Sequence, residues 1–162
     1  MTIRAATEKD LPEILEIYNE VILHTTAVYD YTAHTLEMRK EWFRSRQEQG
    51  LPVLVAEEAG KVLGFASFGP FRAWAAYQYT VENLVHVHSE HRGKGVARQL
   101  MEALIAEARK MGKHTMVAGI DADNAASIAL HRRFGFEVAG HFRQVGYKFD
   151  RWLDLVFMQL IL

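Results

Sequence analysis

The chain has 162 residues, with 19 lysines and arginines against 20 aspartates and glutamates, a formal net charge of −1 with histidines neutral. That length suits one compact domain burying about two-thirds of its unfolded surface, and the balanced charge removes the basic field that nucleic-acid binding requires. Cysteine is absent, which excludes disulfides, thiolate metal sites, iron–sulfur clusters and a cysteine nucleophile.

Met1–Glu8 contains no apolar signal-type segment, and no apolar run reaches the ~18 residues that a membrane helix needs. A reducing cytoplasm is the expected setting. Thr2–Ala5 is a short strand candidate. Thr7-Glu8-Lys9-Asp10 resembles a capping box with Asp in place of Glu or Gln. Behind it Leu11, Ile14, Leu15, Tyr18, Val21 and Ile22 recur with the period of an amphipathic helix. A second helix is expected from about Leu36 to Gln49, stopped by Gly50. Val53–Ala56 and Val62–Ala66 flank Glu58-Ala59-Gly60-Lys61, the pattern of a β-hairpin. A strand follows at Thr80–His88. Helical spacing returns over Val96–Met111, with Gly112 at the C-cap position. A strand at Thr115–Ile120, a helix at Ala125–Phe134 opened by Asn124, and apolar runs at Gln144–Phe149 and Trp152–Leu162 complete an order β-α-α-β-β-β-α-β-α-β-β. This is a mixed α/β or α+β domain spanning the chain.

The sharpest local signal is His91-Arg92-Gly93-Lys94-Gly95-Val96-Ala97, between a strand and a long helix. Two glycines there let backbone N–H groups converge and a ligand approach closely. The helix that follows adds unpaired donors and the positive end of its dipole. Such a turn suits a phosphate or diphosphate, with Arg92, Lys94 and Arg98 adding charge. The alternative is a glycine turn carrying solvated basic residues. It is not a Walker P-loop, because Gly-Lys-Ser/Thr is missing, nor a full G-x-G-x-x-G fingerprint.

A second segment, Asn124 to Phe136, is a short helix with an Asn N-cap and a stop at Gly135. With Val85-x-Val87 and Arg92-Gly93-Lys94-Gly95-Val96-Ala97 upstream, the chain resembles the GNAT superfamily of N-acetyltransferases. Gly64–Arg72, Tyr79–Asn83 and Val145–Phe149 running into Trp152-Leu153-Asp154 resemble its phosphinothricin and methionine sulfoximine acetyltransferase branch, and the likeness extends from about Ile3 to Leu162. The resemblance implies a twisted mixed sheet, splayed at the acetyl-CoA strand, with helices on both faces. It also implies acetyl-CoA as co-substrate, a small amino acid or analogue as acceptor, direct attack without a covalent enzyme intermediate, and a homodimer.

By that resemblance Val85, His86 and Val87 run beside the pantetheine arm. Arg92, Gly93, Lys94, Gly95, Val96, Ala97 and Arg98 hold the diphosphate, and Asn124 reaches the coenzyme near its pantetheine end. Amine acetylation needs a neutral nitrogen, so a base is required. Glu82 is the expected base, the alternatives being a solvent-facing strand residue or a carboxylate that binds the ammonium. Where many relatives carry a tyrosine as general acid this chain has His131, so a histidine acid, unassisted thiolate departure and simple packing all stay open. Arg72 is the first-choice cation for an acidic acceptor, with Lys148 and Arg151 second, across a dimer interface if there is one. Trp74, Tyr77, Tyr79 and Trp152 are candidate pocket walls. His86, His88 and His91 cluster, yet no carboxylate or thiolate completes a recognisable ligand spacing, and no metal is expected. His24, His34, His114 and His141 are scattered and expected to be structural. Two rivals remain: the same fold acting on a peptide N-terminus, polyamine or aminoglycoside, and a non-catalytic acyl-CoA-binding module.

Overall fold

A computed structural model describes residues 1–162. In chain order the elements are β1 (Thr2–Ala5), α1 (Leu11–His24), α2 (Leu36–Glu48), β2 (Val53–Glu58), β3 (Lys61–Pro70), β4 (Thr80–Val87), α3 (Val96–Lys110), β5 (Thr115–Asp121), α4 (Ala125–Arg133), β6 (Glu137–Lys148) and β7 (Arg151–Ile161). The order of strands and helices is the one expected from periodicity. Seven strands form one sheet in the order β1-β2-β3-β4-β5-β7-β6. Every neighbouring pair is antiparallel except β4 and β5, the two strands that α3 connects.

Local chemistry explains the helix boundaries. The Asp10 carboxylate accepts from the Thr7 N–H at 2.7 Å and from both outer guanidinium nitrogens of Arg4 at 2.8 Å. That fixes the entry to α1, and the Arg4 bonds hold the Asp10 carboxyl below its ordinary value. Thr35 caps α2 through its side chain, which accepts from the Met38 N–H. Leu11, Ile14, Ile17, Val21 and Ile22 form the buried stripe of α1. They sit in or beside a core that includes Phe43 of α2 and Val55 and Phe65 of the sheet. On the opposite face Val96, Leu100, Met101, Leu104, Ile105 and Ala108 of α3 anchor a larger core. Gly64 makes that contact possible: a Cβ there would lie 2.8 Å from the His86 carbonyl and 3.2 Å from side-chain atoms of both Val96 and Leu100.

Two strands run longer than the periodicity suggests. β3 extends to Pro70, and β6 begins at Glu137 rather than Gln144. β6 is a terminal strand of the sheet with mostly exposed side chains, so its sequence has little reason to alternate apolar and polar residues. Both two-residue hairpins are left-handed: Ala59 and Gly60 have φ of +51° and +78°, and Phe149 and Asp150 +52° and +57°. The first has the glycine such turns favour, whereas the second has none.

Candidate active site

β4 and β5 pair only where Thr80, Val81 and Glu82 face Thr115, Met116 and Val117. β3 pairs with β4 as far as Val87. Beyond Glu82, therefore, β4 has a strand partner on one side only, and its other edge opens into a cleft of about 1170 Å³. Asn83, Leu84, Val85, His86 and Val87 line this opening. An unpaired strand edge inside a sheet offers backbone donors and acceptors to an extended, amide-bearing ligand.

The cleft continues onto the start of α3. Gly93 and Gly95 adopt φ of +76° and +82°, and a Cβ at either would meet nothing within 4 Å, so the turn faces open space. Gly95 caps α3 without a side-chain hydrogen bond. The first-turn N–H groups thus have no side-chain cap competing for them, and they carry the positive end of the helix dipole. Of the expected coenzyme residues, Val85, His86, Val87, Arg92, Gly93, Gly95, Val96, Ala97, Arg98 and Asn124 all line the cleft; Lys94 does not. Arg92 is held by Glu20 of α1 at 2.9 Å and by the Val87 carbonyl at 3.3 Å. These residues fit a diphosphate joined to an extended arm.

Glu82 lies at the last β5-paired position, where the two strands part. Burial raises its pKa and the Arg72 charge opposes that rise. Glu82 is not itself among the residues lining the cleft but adjoins Asn83, which is, and a carboxylate whose pKa burial raises is a better proton acceptor than a free glutamate. Arg72 is exposed, with its guanidinium 4.2 Å above the Phe71 ring.

His131 lines the cleft but is not arranged as an acid. Its Nδ1 is 2.7 Å from the Ser127 carbonyl, an oxygen that can only accept, so the proton sits on Nδ1. Nε2 then accepts from the Asn83 amide at 3.2 Å. Burial lowers its pKa, so the ring stays neutral and presents a lone pair to Asn83. The general-acid reading of His131 is not supported; the ring orients Asn83 and packs against Phe136 at 4.9 Å.

Other expectations also shift. Lys148 is 4% exposed and donates to the carbonyls of Ile22, Thr25 and Val28 at 2.6, 2.7 and 2.9 Å. An ammonium has three hydrogens, so none remains for a substrate, and Lys148 is not an acceptor ligand. Trp74, Tyr77 and Tyr79 are exposed on the β3–β4 connection and, like Arg72 on the same connection, are not among the residues lining the cleft. Arg151 does line it, bonded to Asp123 at 3.0 Å.

The GNAT acetyltransferase family model matches residues 11–136. The chain belongs to the GNAT acetyltransferase family. It is 52% identical to the L-methionine sulfoximine/L-methionine sulfone acetyltransferase of Salmonella typhimurium over 99% of this chain and 94% of that protein. A solved ribosomal-protein-alanine N-acetyltransferase from Brucella melitensis superposes with a TM-score of 0.98 at 51% identity, covering all of both chains. A GNAT phosphinothricin acetyltransferase from Sinorhizobium meliloti in complex with acetyl-CoA superposes with a TM-score of 0.97 at 38% identity, over 99% of this chain and 88% of that one.

The GNAT cleft has a second wall, which the motifs do not mark. Tyr18, Val21 and Thr25–Val28, from α1 and the segment after it, line it. His86 meets the Tyr18 ring edge-on and the Phe65 ring at a tilt, and burial together with Arg39 and Arg92 drives its pKa down to about 4. Arg39 itself is buried, its guanidinium 4.1 Å above Tyr18 and 4.6 Å above Trp42. A neutral His86 between aromatic rings is a wall residue rather than a metal ligand. No helix is long and apolar enough to cross a membrane.

Proposed function

We propose that this GNAT protein transfers an acetyl group from acetyl-CoA to the α-amino nitrogen of a small amino acid analogue of the methionine sulfoximine, methionine sulfone or phosphinothricin type. The observation that carries this reading is Glu82 at the fork between β4 and β5, its pKa raised beside an open strand edge. Bound acetyl-CoA supplies an activated thioester carbonyl. Glu82 takes the ammonium proton, directly or through one water; the neutral nitrogen attacks the thioester carbonyl, gives its second proton to water, and the amide is left as the C–S bond breaks. With His131 neutral and bonded to Asn83, the thiolate departs without a protein acid and takes its proton from solvent.

Arg72 supplies the positive charge beside Glu82 and is the proposed partner of the acceptor's carboxylate or oxyanion. Val85, His86, Val87, the turn from Arg92 to Arg98 and Asn124 serve the coenzyme. Exposed Phe142, Val145, Tyr147, Phe149 and Trp152 form an apolar surface on the β6–β7 hairpin, which supports a homodimer joined there. The proposed enzyme acts in the cytoplasm.

Thiol release with methionine sulfoximine, methionine sulfone, phosphinothricin, a polyamine and an alanine-terminated peptide tests the reading. The highest kcat/KM belongs to one of the amino acid analogues, and Arg72→Ala raises its KM by about tenfold, equivalent to about 1.4 kcal/mol, with little change in KM for acetyl-CoA. Turnover confined to the peptide selects the second reading, an N-terminal alanine acceptor, which the name of the Brucella relative favours. Coenzyme binding without turnover of any acceptor leaves only an acyl-CoA-binding module.

A further inference from the structure

The wall of the cleft formed by Thr25–Val28 belongs to a connection between helices, yet side chains from the far end of the chain hold it in place. Lys148 of β6 sends its ammonium under this segment and bonds the Ile22, Thr25 and Val28 carbonyls. Ile22 lies in the last turn of α1, where carbonyls lack helical partners and a cation meets the negative end of the dipole. From the other side Asp121, also 4% exposed and at the end of β5, accepts from the Thr26 hydroxyl at 2.8 Å and the Tyr29 hydroxyl at 2.7 Å. The Tyr29 ring lies so close to the Gly146 backbone that a Cβ there would fall 2.7 Å from it. Tyr31 completes the attachment through its hydroxyl on the Tyr147 carbonyl. A buried cation and a buried anion, on two different strands, thus grip one short segment. Lys148 does not line the cleft; Thr25 and Val28, two of the three residues it grips, do.

We propose that Lys148 and Asp121 are positioning residues for the acceptor, holding Thr25–Val28 as a fixed wall against which the amine-bearing substrate is seated. This deepens the acetyltransferase reading and rests on it. The coenzyme has its own surfaces, namely the β4 edge, the start of α3 and Asn124, which leaves the Thr25–Val28 wall to the second substrate. A displacement of about 1 Å in such a wall is enough to cost a large factor in rate or affinity.

The test uses Lys148→Met and a milder variant, Tyr29→Phe, which keeps the ring against Gly146 and removes only the hydroxyl. Calorimetry measures methionine sulfoximine binding to the CoA-loaded protein and acetyl-CoA binding to the free protein, and hydrogen exchange follows amides 25–31. In Lys148→Met, acceptor affinity falls about tenfold or more, acetyl-CoA affinity stays within about twofold, and those amides exchange faster. Tyr29→Phe shows the same split at about threefold, and carries the test alone if Lys148→Met does not fold. Equal weakening of both ligands, or unchanged acceptor affinity despite faster exchange, overturns the proposal. Because these readouts need no turnover, a wild-type protein that binds methionine sulfoximine without acetylating it refutes the proposed reaction and leaves the clamp standing. One that does not bind it refutes both.

Discussion

The two walls of the cleft are built in different ways. The wall proposed for the coenzyme is mainly backbone: an unpaired strand edge, two left-handed glycines and the open end of α3, all within Asn83–Val96. The opposite wall is a short connection with no regular structure of its own, set in place by side chains up to 123 residues away. A backbone site needs few particular side chains, so it tolerates sequence change while glycine positions and strand pairing persist. A site set by long-range side chains can change its acceptor while the coenzyme wall stays as it is.

Three experiments press on that division, the largest effect first. Glu82→Gln alters the residue at the β4–β5 fork, and it lowers kcat by about 10²–10⁴-fold while the protein folds and acetyl-CoA affinity stays the same. Single-turnover kinetics with parallel calorimetry separate those two quantities. The pH dependence has a definite sign. Because burial raises the folded pKa of Glu82, ionising it opposes folding, and its contribution to stability is lost as pH rises from the unfolded value through the folded one. Glu82→Gln is therefore more resistant to heat than the wild type near neutral pH, and the difference vanishes in acid below both pKa values. In the wild type, kcat/KM climbs with pH through a midpoint above the ordinary carboxylate value.

Gly95→Ala tests the backbone wall. A side chain at φ +82° meets no atom within 4 Å in the free protein, so the fold loses only about 1–2 kcal/mol from the left-handed backbone. The new methyl group faces the ligand, and acetyl-CoA affinity drops by about tenfold, or about 1.4 kcal/mol. Acceptor affinity for the loaded protein is the control that stays put. The smallest effect belongs to His131→Phe. It removes a ring that presents no proton to the thiolate, and kcat stays within about threefold. A loss of about 10²-fold or more, of the size general acids contribute, restores the acid role.

The same division explains what could be read from the sequence. The glycine turn, its flanking strand and α3 are contiguous, and each carries a local signature: alternation, positive-φ glycines, then a helical apolar period. The place of Glu82 at the end of the paired part of β4 is legible because it lies on that strand. Lys148 reads as a second-choice substrate cation because nothing local in the sequence distinguishes a substrate cation from a helix clamp. Its partners Ile22 and Val28 are 126 and 120 residues away. His131 was visible as a histidine at an acid's position, whereas its protonation depends on the Ser127 carbonyl and on Asn83 across the cleft. The β6 strand from Glu137 was missed because an exposed terminal strand need not alternate. Trp74, Tyr77 and Tyr79, candidate pocket walls in the sequence, are exposed and absent from the cleft lining.

The tight reversal from β6 to β7 makes the β6 side of that clamp adjustable. Phe149 and Asp150 occupy left-handed backbone in succession, directly after Lys148, whereas Asn-Gly adopts that shape with little strain. The pair is thus a natural dial for protein engineers. Grafting Asn-Gly there relaxes the bend without touching coenzyme or base, and it removes the Phe149 ring that lies 5.3 Å from the Lys148 ammonium, so the clamp can be retuned as the acceptor wall is redesigned for other amines.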